Sequence, residues 1–113
     1  MATAPGKKDD EGKLTKFRLC VDYRALNKIT RKDPYKTPKV DDCLKMRKGL
    51  YFTKMDLKNG FWQIPLRKED RQKTTFIIGD KYYQWKVMPM GMKNSPMTFQ
   101  ALIDKTLTGI LGE

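Results

Sequence analysis

Hydrophobic and polar positions alternate in short patches along the chain, and the period of each patch names an element. In TKFRLCVDY, Phe17, Leu19, Val21 and Tyr23 alternate with Lys16, Arg18, Cys20 and Asp22. That two-residue period predicts a strand with one buried face, with Arg18 on its polar side. RALNKITRKDPYKTPKV contains two prolines and predicts a short helical turn followed by an extended connection. A helix should follow, with Thr37 as cap and Pro38 in its first turn. Asp41 and Asp42 complement its positive end, and Lys45, Arg47 and Lys48 the other end, before Gly49. Val40, Cys43, Leu44 and the stem of Arg47 form its inner stripe.

LYFTKMDL predicts a strand, and the turn signal KNG after it sets Asp56 near the strand's C-terminal end. KTTFII and KYYQWKV flank Gly79 and Asp80, a pair suited to the positive backbone angles of a two-residue hairpin turn. PMGMKNSP reads as a loop, and Asn94 or Ser95 caps a last helix that carries Pro96 in its first turn. Phe99, Leu102, Ile103, Thr106, Leu107, Ile110 and Leu111 then recur at helical spacing, with Gly112 as the stop. Residues 1–13 are polar and charged, so order is expected to begin near Leu14, after a flexible entry or the tip of a hairpin whose first strand is missing. The elements lack the steady strand–helix alternation of a doubly wound sheet. The whole chain, 1–113, is therefore expected to be one α+β unit.

Charge changes this picture. Lys and Arg number 24 against 13 Asp and Glu, a net +11 in 113 residues, so an anionic partner, nucleic acid foremost, stands beside the plainer reading of a basic solvated surface. With 33% charged and 39% hydrophobic residues the core should be modest. No apolar run nears the roughly 20 residues of a membrane span, and the first residues do not look like a signal peptide, so an intracellular place, cytoplasmic or nuclear, with no membrane partner is expected. Cys20 and Cys43 lie far apart and the chain has no histidine. Zinc sites and cysteine–histidine chemistry are thereby disfavoured.

Two chemical readings compete. Metal-assisted phosphoryl or nucleotidyl transfer needs clustered carboxylates around hard cations, and spacing alone leaves Asp56 isolated and more readily structural. Lys13, Lys16 and Arg18 with Phe61, Trp62, Tyr82, Tyr83 and Trp85 supply cations and aromatics for phosphates and bases, although aromatics at alternating strand positions usually build a core.

Four ordered blocks add a third line of inference: FRLCVDYRALNKIT, FTKMDLKNGFWQIPL, EDRQKTTF and WKVMPMGMKNSPMTFQ. In this order and spacing the chain, from about Lys7 onward, resembles the reverse transcriptase domain of gypsy-type LTR retrotransposons and their retroviral relatives. The resemblance implies a partial right-hand polymerase fold, fingers plus the first half of the palm. It implies template-directed addition of deoxynucleotides, with RNA or DNA template-primer and deoxynucleoside triphosphates as partners and two Mg2+ ions as cofactors.

By the same resemblance Asp56 matches the catalytic metal-binding aspartate, and the backbone beside Leu57 belongs to the same metal and triphosphate site. Phe61 matches the aromatic that excludes a ribose 2′-hydroxyl. Arg18 matches the arginine that grips the triphosphate, assisted by Lys7 or Lys8. Met90 and Gly91 fall beside the nucleotide, and Asn94, Ser95, Pro96, Phe99 and Gln100 fall in the loop and helix near nucleotide and template. Met90 and Met92 depart from the family's usual residues but stay apolar and flexible. The family's aromatic-x-Asp-Asp sequence, which completes its metal site, does not occur in these 113 residues. The resemblance therefore implies that the chain is inactive by itself, and it leaves a non-catalytic basic nucleic-acid-binding role as the alternative.

Overall fold

The computed structural model describes residues 2–4, 10, 12, 18–45 and 50–110, and of residues 2–4, 18 and 43 the backbone alone. Strand β1 (Ala2–Ala4) pairs antiparallel with β2 (Arg18–Cys20), Ala2 opposite Cys20 and Ala4 opposite Arg18. A strand is therefore present at Ala2–Ala4, which corrects the expectation that the first strand of the hairpin is missing. The ladder ends where its three-residue partner ends. Val21 to Tyr23 continue unpaired, and Tyr23 turns into the core at the start of α1 (Arg24–Ile29). Asp22 organises that start, its carboxylate accepting the Arg24 backbone N–H at 3.0 Å and the Arg24 side-chain Nε–H at 2.9 Å.

Residues 31–39 run without regular structure, as Pro34 and Pro38 require. Helix α2 (Val40–Lys45) starts at Val40 rather than just after Thr37, and Val40 and Leu44 of the expected inner stripe are exposed. Cys43's side chain and residues 46–49, with Arg47, Lys48 and Gly49, lie outside the described residues.

Residues 50–57 correct a second expectation: they form no strand. Leu50 and Tyr51 are 95% and 94% exposed, and Phe52 and Met55 also face solvent. A strand needs a neighbour for its N–H and C=O groups. Among the described residues both sheets are two-stranded ribbons, and residues 50–57 pair with neither. The KNG turn does form, with Asn59 left-handed at φ 55° and a 3-10 turn over Gly60–Gln63.

The packed centre gathers around residues 64–89. Residues 64–66 and 86–88 run antiparallel: Leu66 N–H donates to Lys86 O at 2.9 Å, and Met88 N–H donates to Ile64 O at 2.8 Å. Between them lie α3 (Lys68–Arg71), a 3-10 turn Gln72–Thr74, and the hairpin of β3 (Phe76–Ile78) and β4 (Lys81–Tyr83), Phe76 opposite Tyr83. Only Gly79 of the turn pair takes a positive φ, 57°, which is the glycine-first pattern of a type II′ turn. Trp85 stacks on Trp62 with ring centroids 6.0 Å apart and packs against Phe76, so its aromatic face belongs to the core. Tyr82, by contrast, is exposed.

Helix α4 (Ser95–Thr106) closes the chain, with Pro96 in its first turn. It ends at Thr106, and the stop glycine is Gly109, at φ 89°. Leu102 and Ile110 are exposed while Phe99, Ile103 and Leu107 are half-buried, so the apolar face is narrower than the sequence spacing predicts. Leu111 and Gly112 lie outside the described residues. The Cα radius of gyration, 17.5 Å, exceeds the roughly 13 Å of a compact chain this long. Burial is correspondingly thin: Tyr23, Thr74, Met88, Pro89 and Ser95 are the buried side chains among the described residues.

Thr74 joins three segments. Its carbonyl accepts the Tyr23 hydroxyl at 3.0 Å, its own hydroxyl donates to Arg71 O at 2.7 Å, and its Oγ1 accepts Trp85 N–H at 2.9 Å. Burial also pushes the Tyr23 phenol above its ordinary pKa. Thr74→Val keeps the volume but strands the Trp85 N–H, and is expected to cost about 1–3 kcal/mol in urea denaturation, whereas exposed Thr75→Val should cost well under about 1 kcal/mol.

Candidate functional site

The candidate site is built on the loop that leads into α4. Met88 and Pro89 are buried, and the Ser95 hydroxyl donates back to Pro89 O at 3.0 Å, closing the loop on itself. Gly91 sits at φ 85°, and a Cβ there would stand 3.7 Å from Val21 O. The turn thus lies against the chain leaving β2, the strand that carries Arg18. The backbone conformation, more than the space, calls for glycine.

Polar side chains tie this loop to α1. The Asn27 carboxamide donates to Gly91 O at 2.8 Å and accepts Lys93 N–H at 2.8 Å. The Lys93 ammonium donates to Asn27 O at 3.0 Å and Thr30 O at 2.8 Å, satisfying carbonyls at the end of α1. Asn94 occupies the N-cap position of α4 without capping it by its side chain. Its carboxamide instead donates to Arg31 O at 2.8 Å and accepts Asp33 N–H at 3.0 Å. Asn27 and Lys93 carry no sequence signal beyond a polar carboxamide inside a short helix, where asparagine is a weak helix former.

Helix α4 links the loop to the second block. The Phe61 ring meets Phe99 edge-on, with centroids 5.4 Å apart and planes at 75°. Gly60 approaches the same ring so closely that a Cβ would stand 3.0 Å from Phe99 Cζ. Phe61 is therefore held on the helix that begins with Asn94, Ser95 and Pro96. Farther along, Gln100 donates to Asp104 Oδ1 at 2.8 Å, and the Tyr35 hydroxyl donates to Asp104 Oδ2 at 2.5 Å.

The structure thus ties Phe61, through Phe99, to the helix that carries Ser95 and Gln100 and follows Gly91 and Asn94, with Met90 half-buried in the loop. Asp56 and Leu57 lie on the exposed stretch before the turn, and no group of three or more acidic, histidine or cysteine side chains forms a metal cluster among the described residues. Arg18 is placed by its backbone at the end of the β1–β2 ladder. Lys7, Lys8, Lys13 and Lys16 lie outside the described residues. Asn94, Ser95 and Gln100 already have partners within the chain, so each positions the loop or helix whatever else it contacts. Among the described residues no helix is long and apolar enough to cross a membrane.

A glycine-bearing loop entering a helix, an aromatic ring held on that helix and a β-ribbon beside the loop make up a partial right-hand polymerase fold. The family described as Reverse transcriptase (RNA-dependent DNA polymerase) matches residues 6–113, and the chain belongs to that family. An RNA-directed DNA polymerase homolog of Oenothera berteroana is 41% identical over 92 residues, covering 80% of this chain and 65% of that protein. The retrovirus-related Pol polyprotein from transposon 297 of Drosophila melanogaster is 40% identical over 108 residues, covering 95% of this chain and 10% of the polyprotein. A solved foamy viral protease-reverse transcriptase, in complex with an RNA/DNA hybrid, superposes with a TM-score of 0.70 at 32% identity, covering 85% of this chain and 13% of that one.

The Tyr35–Asp104 link gives the site a pH signature. The Tyr35 hydroxyl, with help from Gln100, holds the Asp104 carboxyl below its ordinary pKa, and Asp104 in turn raises the Tyr35 phenol. A carboxyl with a lowered folded pKa contributes stability that is present above its unfolded value and lost as pH falls through the folded one. Tyr35→Phe should move the Asp104 carboxyl back up toward its ordinary value in an NMR titration and leave Asp22, held at about 2 by Arg24, where it was.

Proposed function

We propose that this chain serves as the fingers and first half of the palm of an RNA-directed DNA polymerase. It would bind an RNA or DNA template-primer and a deoxynucleoside triphosphate, and would add deoxynucleotides to a primer 3′-hydroxyl only when the remaining metal ligands are supplied. The observation that carries this reading is that α4, which the Met90–Gly91 loop leads into, also holds Phe61 through the Phe61–Phe99 contact. In this reading Phe61 acts as a rigid wall against a 2′-hydroxyl, Arg18 with Lys7 or Lys8 meets the triphosphate, and Pro96 and Gln100 face the template. Arginine's planar fork suits phosphate oxygens, and the +11 charge suits a polyanion.

Magnesium prefers several oxygen ligands, and Asp56 with the backbone at Leu57 supplies a hard-oxygen edge but does not make a site by itself. When bound in a complete site, the two ions stabilise the charge that develops during in-line displacement of pyrophosphate. Without the family's paired aspartates, this chain is expected to bind nucleic acid and leave primers unextended. Purified chain should give no magnesium-dependent primer extension, and extension abolished by Asp56→Asn would refute that.

The second reading, a non-catalytic basic nucleic-acid-binding role, is favoured by the charge alone. Under both readings affinity for a template-primer duplex should fall steeply with salt, and a flat salt response would count against both. A preference for deoxynucleoside over ribonucleoside triphosphate that Phe61→Ala removes separates them, since only the polymerase reading uses that ring as a gate.

A further inference from the structure

Asn27 belongs to α1, but both ends of its carboxamide work on the loop before α4. Its Nδ2 donates to the carbonyl of Gly91 and its Oδ1 accepts the N–H of Lys93, each at 2.8 Å, so one side chain brackets the tight turn at residues 91–93. Gly91 has φ 85°, a conformation with many alternatives open to a glycine, and nothing in its own side chain selects it. The Lys93 ammonium is turned back onto the carbonyls of Asn27 and Thr30, which gives it two protein acceptors in place of a phosphate. Ser95, tied to Pro89, and Asn94, tied to Arg31 and Asp33, pin the loop's far end. Among the described residues, the hydrogen bonds to the Gly91 carbonyl and the Lys93 N–H come from the Asn27 side chain.

We propose that Asn27 is a positioning residue for the loop before α4: by bridging Gly91 and Lys93 it holds the Gly91 peptide in its left-handed turn, so that the loop's nucleotide-side residues, Met90 and Gly91, and its template-side residues, Asn94 and Ser95, are preformed before nucleic acid binds. This rests on the polymerase reading of the loop. Without the bridge, the peptide after Gly91 is free to rotate and the loop must be ordered by the ligand, which weakens binding without removing any contact to phosphate.

The test uses the whole 113-residue chain with a fluorescent template-primer duplex, titrated at several salt concentrations, alongside amide hydrogen exchange and thermal melting. Asn27→Ala should lose protection at the Lys93 amide, keep it at Leu107, whose N–H caps the end of α4 on Ile103 O, and weaken duplex binding about tenfold with an unchanged salt slope. Asn27→Asp still accepts the Lys93 N–H but no longer donates to Gly91 O, so Lys93 stays protected while binding weakens. Leu26→Ala, a packing change on the same helix, serves as control and should lower the melting temperature while leaving Lys93 protected.

Binding by Asn27→Ala equal to that of the unaltered chain would overturn the positioning role. So would a loss that Leu26→Ala reproduces at equal melting temperature, or a shallower salt slope, which would make the side chain part of a phosphate contact. Failure of the unaltered chain to bind the duplex would instead overturn the polymerase reading, and would be seen before any variant is compared.

Discussion

Hydrogen bonds between two distant stretches of chain, residues 27–33 and 91–94, hold the loop before α4 in shape. The bonds among Asn27, Gly91, Lys93, Asn94, Arg31 and Asp33 span sequence separations of 61 to 66 residues, and they are joined by amide side chains that offer a donor and an acceptor at once. In a chain with so thin a buried core, apolar burial has limited means to fix a loop. Directional hydrogen bonds do it instead, because each constrains an angle as well as a distance.

That constraint is carried onward by α4. Its first turn is locked to the loop, its middle holds Phe61 and crowds Gly60 through Phe99, and its end reaches Tyr35 through Asp104. One helix therefore sets the mutual placement of residues drawn from separate blocks of the sequence. The stretch before Gly60, with Asp56 in it, is not gathered in this way. Its apolar side chains face solvent, and it pairs with neither described ribbon.

Much of the fold was legible from local chemistry. The hairpin around Gly79, the turn at Asn59, the proline-bearing connection and the start of α4 each rest on residues whose backbone preferences act at short range. The misreadings share a cause. The stretch 50–57 has strand periodicity and no partner, Val40 and Leu44 have helical spacing and no surface to cover, and Ala2–Ala4 has little pattern of its own yet pairs because Arg18–Cys20 offers an edge. Family blocks pointed to Asp56, Phe61 and Gly91 as candidates, and of these the structure ties Phe61 and Gly91 to α4 or its loop and leaves Asp56 on an exposed stretch, while the hydrogen bonds of Asn27, Lys93, Thr74 and the Tyr35–Asp104 pair left no mark in spacing or composition.

The amino-acid sequence by itself determined the basic charge, the α+β succession of elements, the turn positions and the family to which the chain belongs, because these depend on residue type and order along the chain. The tertiary structure alone decided that Asn94 braces residues 31–33 and leaves its helix uncapped, that Trp85 packs inward while Tyr82 stays in solvent, and that Phe61 rests on Phe99. The reason is physical: a hydrogen bond or ring contact between residues tens of positions apart depends on where the backbone carries them, and that position comes from all the packing at once.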